Sequence, residues 1–147
     1  MRTDHTTVAG TSTEEVLREI GEYAVDRGYA EGGYVEAVLN RESTYPTGLS
    51  IPAESFGIAI PHADPEHVLE EAVVLGLPEE PVAFRSMDDP DQSVDVEAVL
   101  LLLTEGSDGY AAFLSNLANL FQGDAFVDVV RTGDAQAVLE LVDERCL

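Results

Sequence analysis

Apolar residues at helical spacing behind a capping signal mark the first helix of the chain. Ser12 is followed three residues later by Glu15, which is the pattern of a capping box. The apolar positions that then share one helical face are Val16, Leu17, Ile20, Tyr23 and Ala24. This pattern predicts a helix that begins after Ser12 and ends before Gly28. Residues 1–11 are small and polar with no period, which predicts a flexible N-terminal tail.

The central part of the chain alternates between one helix and several short strands. A second helix is predicted over residues 33–40, ending near Arg41. Pro and Gly residues within 45–55 exclude a helix there and indicate extended chain with turns. Short apolar runs predict strands at 56–61, 72–77 and 94–103, with an edge piece at 82–84. The first of them stops at Pro61, which has no N–H for a ladder.

Three helices are predicted after the last strand. Asp108 is the candidate N-cap of the first, and Gly123 ends it. A shorter helix capped by Asp124 and a final helix capped by Asp134 follow. Helices on both sides of a run of strands indicate an α/β (α+β) fold: a single-domain sandwich with a mixed central β-sheet flanked by helices.

The charge balance is strongly acidic. Seven basic residues, all arginine, stand against 29 Asp and Glu, for a net charge of −22. Because 45% of the residues are hydrophobic, the chain is expected to fold despite this charge. Nucleic-acid binding is excluded as a default, since phosphates would meet like charge. We interpret the acidity as that of a salt-adapted, halophilic protein, and the alternative is an acidic surface that docks a basic partner.

Cysteine content and hydropathy bear on where the protein works. The only cysteine, Cys146, excludes an internal disulfide and a thiolate-rich metal site. The longest apolar run, 96–103, is interrupted by Glu97 and is too short to span a bilayer. The N-terminal residues lack the apolar core of a secretory signal. We therefore expect a cytoplasmic protein with no direct membrane insertion.

His62 has the setting of a functional residue. It follows a strand and Pro61 directly, so its ring is expected at the mouth of the sheet, where α/β folds commonly hold ligands. An imidazole with a pKa of about 6.5 is largely neutral in the cytosol, and the nitrogen without a proton is nucleophilic. A surface or capping role is the alternative for a lone histidine.

A metal site is a further alternative for this stretch. Four possible ligands lie close together: His62, Asp64, Glu66 and His67. Two histidines five apart and interrupted by Pro65 match no standard zinc spacing. The chain also lacks the G-x-S-x-G and Walker motifs. We expect no metal and no cofactor.

Arg41 is the second candidate site residue. Its guanidinium stands beside Glu42 at a predicted helix end and could grip a phosphoryl group with two hydrogen bonds. The alternative is a surface pair, with the arginine favoured there by the helix dipole.

Two strings of residues resemble a known family. The segment NRESTYPTGL over 40–49, followed by GIAIPH over 57–62, is similar to the enzyme IIA domain of sugar phosphotransferase systems (PTS) of the fructose/mannitol class. The order Arg-Glu, Thr-Gly turn and G-I-A-I-P-H is typical of that family, and Tyr-Pro-Thr-Gly-Leu leans toward its galactitol-type branch. The resemblance covers the expected folded domain, residues 12–147, as an enzyme IIA type-2 domain.

The resemblance implies a phosphohistidine relay, and therefore a phosphotransferase component. The phosphocarrier protein HPr would phosphorylate His62, which would pass the group to a cysteine of enzyme IIB. Arg41 would offset the charge of the phosphoryl oxygens, and Thr47 would supply a further phosphate-binding hydroxyl, with a local turn role as its alternative.

Tyr110 departs from the family pattern. Many members of the class carry a second histidine at this position; a tyrosine can hydrogen-bond a phosphoryl oxygen or His62 but is not a cation at pH 7. His67 is a candidate substitute for the missing histidine. The departure keeps open a second function: a regulatory enzyme IIA-like module that senses phosphorylation state and binds a protein target.

Overall fold

The computed structural model describes residues 1–51, 55–106 and 109–147, and a five-stranded mixed sheet lies between two helical layers. The strands are β1 (Arg2–Val8), β2 (Gly48–Ile51), β3 (Phe56–Ala59), β4 (Ala72–Pro78), β5 (Val82–Arg85), β6 (Ser93–Val96) and β7 (Ala98–Leu103). The helices are α1 (Thr13–Asp26), α2 (Tyr34–Thr44), α3 (Tyr110–Gln122), α4 (Asp124–Arg131) and α5 (Ala135–Cys146), with one 3-10 turn at Pro65–His67.

The order of strands in the main sheet is β1-β4-β7-β3-β2, and β5 and β6 form a separate hairpin. Two pairs, β1 with β4 and β3 with β7, are parallel, whereas β4 with β7 and β2 with β3 are antiparallel. The sheet is therefore mixed, as predicted. Because β3 lies inside the sheet, the chain that leaves its C-terminal end passes directly beside β7.

Alternation along β7 divides the core into two halves. Leu101 and Leu103 pack with the α1 and α2 side, while Leu100 and Leu102 pack with α3, α4 and α5. All six residues of β7 are buried, which explains the uninterrupted apolar run of this central strand. The predicted α/β sandwich is confirmed.

The prediction of a flexible tail over residues 1–11 is wrong for most of that segment. Arg2–Val8 form an edge strand that pairs in parallel with β4 from Arg2↔Ala72 to Val8↔Pro78. The strand is held by backbone pairing, by fully buried Val8 and by hydrogen bonds to Asp4. A strand with so few apolar side chains gives no period in the sequence, so its order could not be recognised there.

Several predicted boundaries also differ from the structure. The predicted strand 94–103 is two strands, because the chain leaves the hairpin and enters the main sheet at Glu97. The second helix continues to Thr44, since the Ser43 and Thr44 hydroxyls bond the carbonyl of Asn40. The predicted cap Asp108 lies outside the described residues.

The capping prediction at α1 is confirmed. Ser12 is the N-cap and its hydroxyl accepts a hydrogen bond from the Glu15 amide. At α5, Asp134 accepts from the Ala137 amide. The cap of α4 is Gly123, and Asp124 is instead the first residue of that helix.

Candidate functional site

His62 directly follows Pro61 and lies three residues past Ala59, the last residue of β3. The Leu102 amide donates to the Pro61 carbonyl at 3.0 Å, and His62 pairs with Leu102 in a parallel bridge. Pro61 and Ala63 on either side of the ring are buried, while His62 itself is half-buried. The backbone is thus anchored on both sides of a side chain that reaches the surface, as the sequence predicts.

The hydrogen bonding of His62 fixes which ring nitrogen is available. Nδ1 lies 3.0 Å from the Ile60 carbonyl oxygen, which can only accept a hydrogen bond. A neutral ring therefore carries its proton on Nδ1 and leaves a lone pair on Nε2. Burial lowers the pKa of His62; the Ile60 carbonyl and Asp64 oppose that shift and Arg41 adds to it. The ring is neutral at pH 7 and can act as a nucleophile through Nε2.

Arg41 lies in the last turn of α2, beside the histidine. Its Nη1 is 3.5 Å from Asp64 Oδ1, and its guanidinium stands 5.2 Å from the centre of the Tyr45 ring. Its Nε is buried and, among the residues that the structure describes, has no hydrogen-bond partner. The arginine therefore keeps one N–H unused next to His62.

Tyr110 is the first residue of α3, and its ring stacks on that of Phe113, which is buried in the core. The hydroxyl is buried and has no hydrogen-bond partner within the described part of the chain. Burial raises the pKa of Tyr110, and the charge of Arg41 opposes the shift. Arg41 contacts Asp64, two residues past His62, and α3 begins at Tyr110 after β7, whose Leu102 pairs with His62. The three residues therefore lie at the same end of the sheet, in keeping with the effect of Arg41 on the pKa values of both Tyr110 and His62.

The hydroxyl of Thr47 has a different role in this structure. It donates to Glu42 Oε1 at 2.8 Å, and the Thr47 amide donates to Glu42 Oε2 at 2.8 Å. Both residues are buried. Burial raises the pKa of Glu42, although Thr47 and Arg85 oppose the shift. Because the Thr47 hydroxyl donates its hydrogen bond to Glu42, Thr47 stabilises the turn between α2 and β2. Phosphate binding by this hydroxyl stays a prediction.

Glu42 is a positioning residue that the sequence reasoning did not assign. It ties the end of α2 to the start of β2, and Arg85 donates to the Ser43 carbonyl at 2.8 Å in the same place. These bonds fix the helix turn that carries Arg41. The sequence contains a signal for this role: Glu42 follows Arg41 and precedes a Thr-Gly turn. A carboxylate at this position can accept hydrogen bonds from the turn.

His67 lies among carboxylates. Its Nε2 is 3.2 Å from Glu66 and its Nδ1 is 3.7 Å from Glu31. It lines a cleft of about 240 Å³ together with Arg41 and Asp64, a cleft that His62 does not line. Substitution of His67 for the second histidine of the family stays a prediction. Among the described residues, no group of three or more His, Cys, Asp or Glu is arranged to hold a metal.

The mixed sheet between helical layers and the histidine at the end of an inner strand agree with the enzyme IIA class that the sequence resembles. Residues 3–145 match the profile of the family described as "Phosphoenolpyruvate-dependent sugar phosphotransferase system, EIIA 2". The chain belongs to this family.

Two named relatives are sugar-specific components of phosphotransferase systems. It is 31% identical to the galactitol-specific EIIA component of Escherichia coli K12 over 118 residues, 80% of this chain and 77% of that protein. It is 31% identical to the mannitol-specific EIICBA component of the same strain over 136 residues, 90% of this chain but 20% of that larger protein.

Solved structures give the same fold. Enzyme IIA-mannitol in its complex with phosphorylated enzyme IIB-mannitol from E. coli superposes with a TM-score of 0.75 at 27% identity, covering 97% of this chain and 94% of that one. The nitrogen regulatory protein IIA-Ntr from Neisseria meningitidis gives 0.73 at 22% identity, covering 95% and 92%, which is a likeness of fold alone. Within the described residues, no helix has the length and apolar character needed to cross a bilayer.

Proposed function

We propose that this protein is a cytoplasmic phosphocarrier of a sugar phosphotransferase system. His62 accepts a phosphoryl group from phospho-HPr and passes it to the cysteine of enzyme IIB. The observation that carries the proposal is a neutral, half-buried imidazole whose Nδ1 is bonded to the Ile60 carbonyl, which leaves the lone pair on Nε2, next to a guanidinium. Membership of the enzyme IIA family supports it, and the solved relative bound to phosphorylated enzyme IIB supports the acceptor partner.

Each transfer exchanges one bond to phosphorus for another. The lone pair of His62 Nε2 forms the new N–P bond while the donor's N–P bond breaks and its electron pair stays on the donor nitrogen. The Nδ1 proton remains on its hydrogen bond to Ile60 throughout. In the second step the thiolate of enzyme IIB forms the S–P bond, and the electron pair of the broken N–P bond returns to Nε2.

Phosphoryl transfer requires that the protein position the reacting atoms and compensate the charge on the phosphoryl oxygens. The carbonyl of Ile60 fixes the orientation of the His62 ring. Arg41 supplies positive charge beside the three phosphoryl oxygens, in a chain with only 7 basic residues. Glu42 and Thr47 act on this site indirectly, by holding the turn of α2 from which Arg41 extends.

The relatives favour transport over the regulatory alternative. The galactitol-specific relative matches 80% of this chain at 31% identity, whereas the nitrogen regulatory protein shares only the fold. Coding sequences for a permease and an enzyme IIB beside that of this protein would support transport, and a transcription regulator or kinase in their place would support sensing.

Labelling by phospho-HPr in molar salt tests the proposal. We expect the intact mass of the wild type to increase by one acid-labile phosphoryl group and that of His62→Ala to stay unchanged. His67→Ala is the matched control, because it removes a second half-buried histidine, one that pairs with Glu66 and Glu31, and it should gain one phosphoryl group like the wild type. Equal labelling of His62→Ala would show that His62 is not the acceptor.

We also propose that the protein is adapted to high salt. The support is its net charge of −22 with arginine as the only basic residue type. Carboxylates crowded on one surface repel each other at low ionic strength, and the repulsion is screened in concentrated salt. Circular dichroism should show loss of structure on dialysis from molar to millimolar salt; an unchanged spectrum would contradict the adaptation.

A further inference from the structure

Two buried hydrogen-bond donors at the site have no partner in the described part of the chain: the Tyr110 hydroxyl and Arg41 Nε. Leaving such groups unpaired is costly, and native proteins rarely do so. Arg41 contacts Asp64, two residues past His62, and Tyr110 begins the helix that follows β7, the strand whose Leu102 pairs with His62. The two donors therefore lie at the end of the sheet that carries the imidazole. Unpaired donors concentrated at one place indicate a ligand that supplies acceptors there.

The chemistry of the missing acceptor follows from the donors. Tyr110 keeps its proton at neutral pH and donates one hydrogen bond, and Arg41 Nε–H can only donate. A neutral carbonyl or water could pair with one of them, but a phosphoryl group on His62 brings three anionic oxygens that only accept. In the proposed function, a phosphoryl group is carried on Nε2, so phosphorylation of His62 itself brings these acceptors to the site.

We propose that Tyr110 is a phosphate-positioning residue: its hydroxyl and Arg41 Nε–H both donate to oxygens of the phosphoryl group carried by His62. The inference rests on the proposed function and adds a residue to it. Stacking on Phe113 holds the Tyr110 ring in place before the group arrives. The hydroxyl forms and breaks no covalent bond; it stabilises the phosphorylated state.

A tyrosine differs from the histidine that many relatives carry at this position in one measurable respect. Its hydroxyl does not titrate near neutrality, whereas an imidazole does, at a pKa of about 6.5. The ratio of phosphoprotein lifetimes between the Tyr110→His variant and the wild type should therefore change as the pH crosses that range. A constant ratio would show that the side chain at position 110 does not contact the phosphoryl group and would overturn the inference.

The test uses phosphoramidate, a small phosphoryl donor to imidazoles, so that labelling does not depend on a partner protein. Peptide mass mapping then follows the decay of phospho-His62 at constant pH, because phosphoramidate can also label His5 and His67. We expect decay about tenfold faster in Tyr110→Phe than in the wild type, the effect of one lost hydrogen bond to a charged group. Tyr45→Phe is the matched control, since it removes an exposed hydroxyl near Arg41 and keeps the ring, and its decay should equal that of the wild type.

A stability measurement separates this role from a structural one. Removing an unpaired buried hydroxyl should leave the melting temperature of the unphosphorylated Tyr110→Phe protein unchanged or higher. Decay equal to wild type would overturn the inference, and so would a lower melting temperature without faster decay. The failures are distinguishable: labelled His62 with decay insensitive to Tyr110 removes this inference alone, whereas absence of label on His62 from both phosphoramidate and phospho-HPr removes the proposed function as well.

Discussion

Two clusters in this molecule combine a charged group with tyrosines, and they differ in how completely their hydrogen bonds are made. At the edge strand, Asp4 accepts from Tyr23 at 2.9 Å, from Tyr29 at 2.7 Å and from Arg27 at 3.3 Å. At the site, Arg41 and Tyr110 each retain a buried donor with no partner among the described residues.

The hydrogen-bonded groups of the first cluster stabilise the fold, whereas the unpaired donors of the second can bind a ligand. The three donors on Asp4 join β1 to α1 and the chain that follows it, and every one of these bonds exists in the unliganded protein. The unpaired donors beside His62 contribute no such bond until an acceptor arrives. Substitutions in the first cluster should therefore change stability, and substitutions in the second should change phosphoryl transfer.

The largest effect is expected for Arg41→Ala. Loss of a preorganised donor to a charged transition state commonly lowers rates about 10²- to 10³-fold, and we expect labelling of His62 by phospho-HPr to slow by about that factor. The melting temperature should change little, because the buried Nε has no bond to lose and the pair with Asp64 and the contact with Tyr45 are both at exposed side chains. Rapid-quench labelling measures the rate.

Arg18→Ala is the control for this prediction, since it removes another arginine, on α1, that pairs with Glu14 and Glu36. Its labelling rate should match that of the wild type. A large loss of stability in Arg41→Ala with labelling intact would reverse the assignment of the two clusters.

Asp4→Asn should produce the opposite pattern. Hydrogen bonds to a charged group contribute about 1.5–3 kcal/mol, so denaturant unfolding should show a loss of free energy of that order, with His62 labelled normally. Partial burial by itself would raise the pKa of Asp4, but hydrogen bonds from Tyr29 and Tyr23 lower it overall. A lowered folded-state pKa gives stability that is full above the unfolded pKa and is lost as the pH falls through the folded value.

The pH dependence adds a second readout. Wild type should lose stability below about pH 4 through Asp4, and Asp4→Asn should lose less over the same range. Tyr29→Phe removes one of the three bonds and should cost about 1 kcal/mol. If Asp4→Asn slowed labelling instead, the edge cluster would be coupled to the site.

The sequence was sufficient for the parts of the site that depend on local order. Proline before His62 ends a buried strand, and an apolar β-branched run identifies that strand, so the position of the imidazole could be predicted. The Ser12 capping box fixed the start of α1 for the same reason. Local signals of this kind involve residues a few positions apart and are present in the chain before it folds.

The missed features depend on residues far apart in the chain. β1 is ordered by pairing with a strand about 70 positions later, and its polar side chains carry no apolar period. Whether the Thr47 hydroxyl faces a phosphate or Glu42 depends on the angle between α2 and β2, which spacing does not reveal. Likewise, the unpaired state of Tyr110 is a property of its surroundings and could not be read from its residue type.

The smallest effect is expected at Asp64, which competes with the phosphoryl group for Arg41. Its carboxylate lies 3.5 Å from Arg41 Nη1 and its side chain is 84% exposed. Exposed ion pairs contribute at most about 1 kcal/mol, so Asp64→Asn should increase the phosphorylated fraction at equilibrium with phospho-HPr about two- to fivefold. The gain should shrink in molar salt, where charges are screened within about 3 Å.

Glu66→Gln is the control, because it removes a neighbouring carboxylate that pairs with His67 instead, and it should leave the phosphorylated fraction unchanged. A lower phosphorylated fraction in Asp64→Asn would mean that Asp64 holds Arg41 in position for the phosphoryl group. Asp64 would then have the same role at the site that Asp4 has at the edge strand.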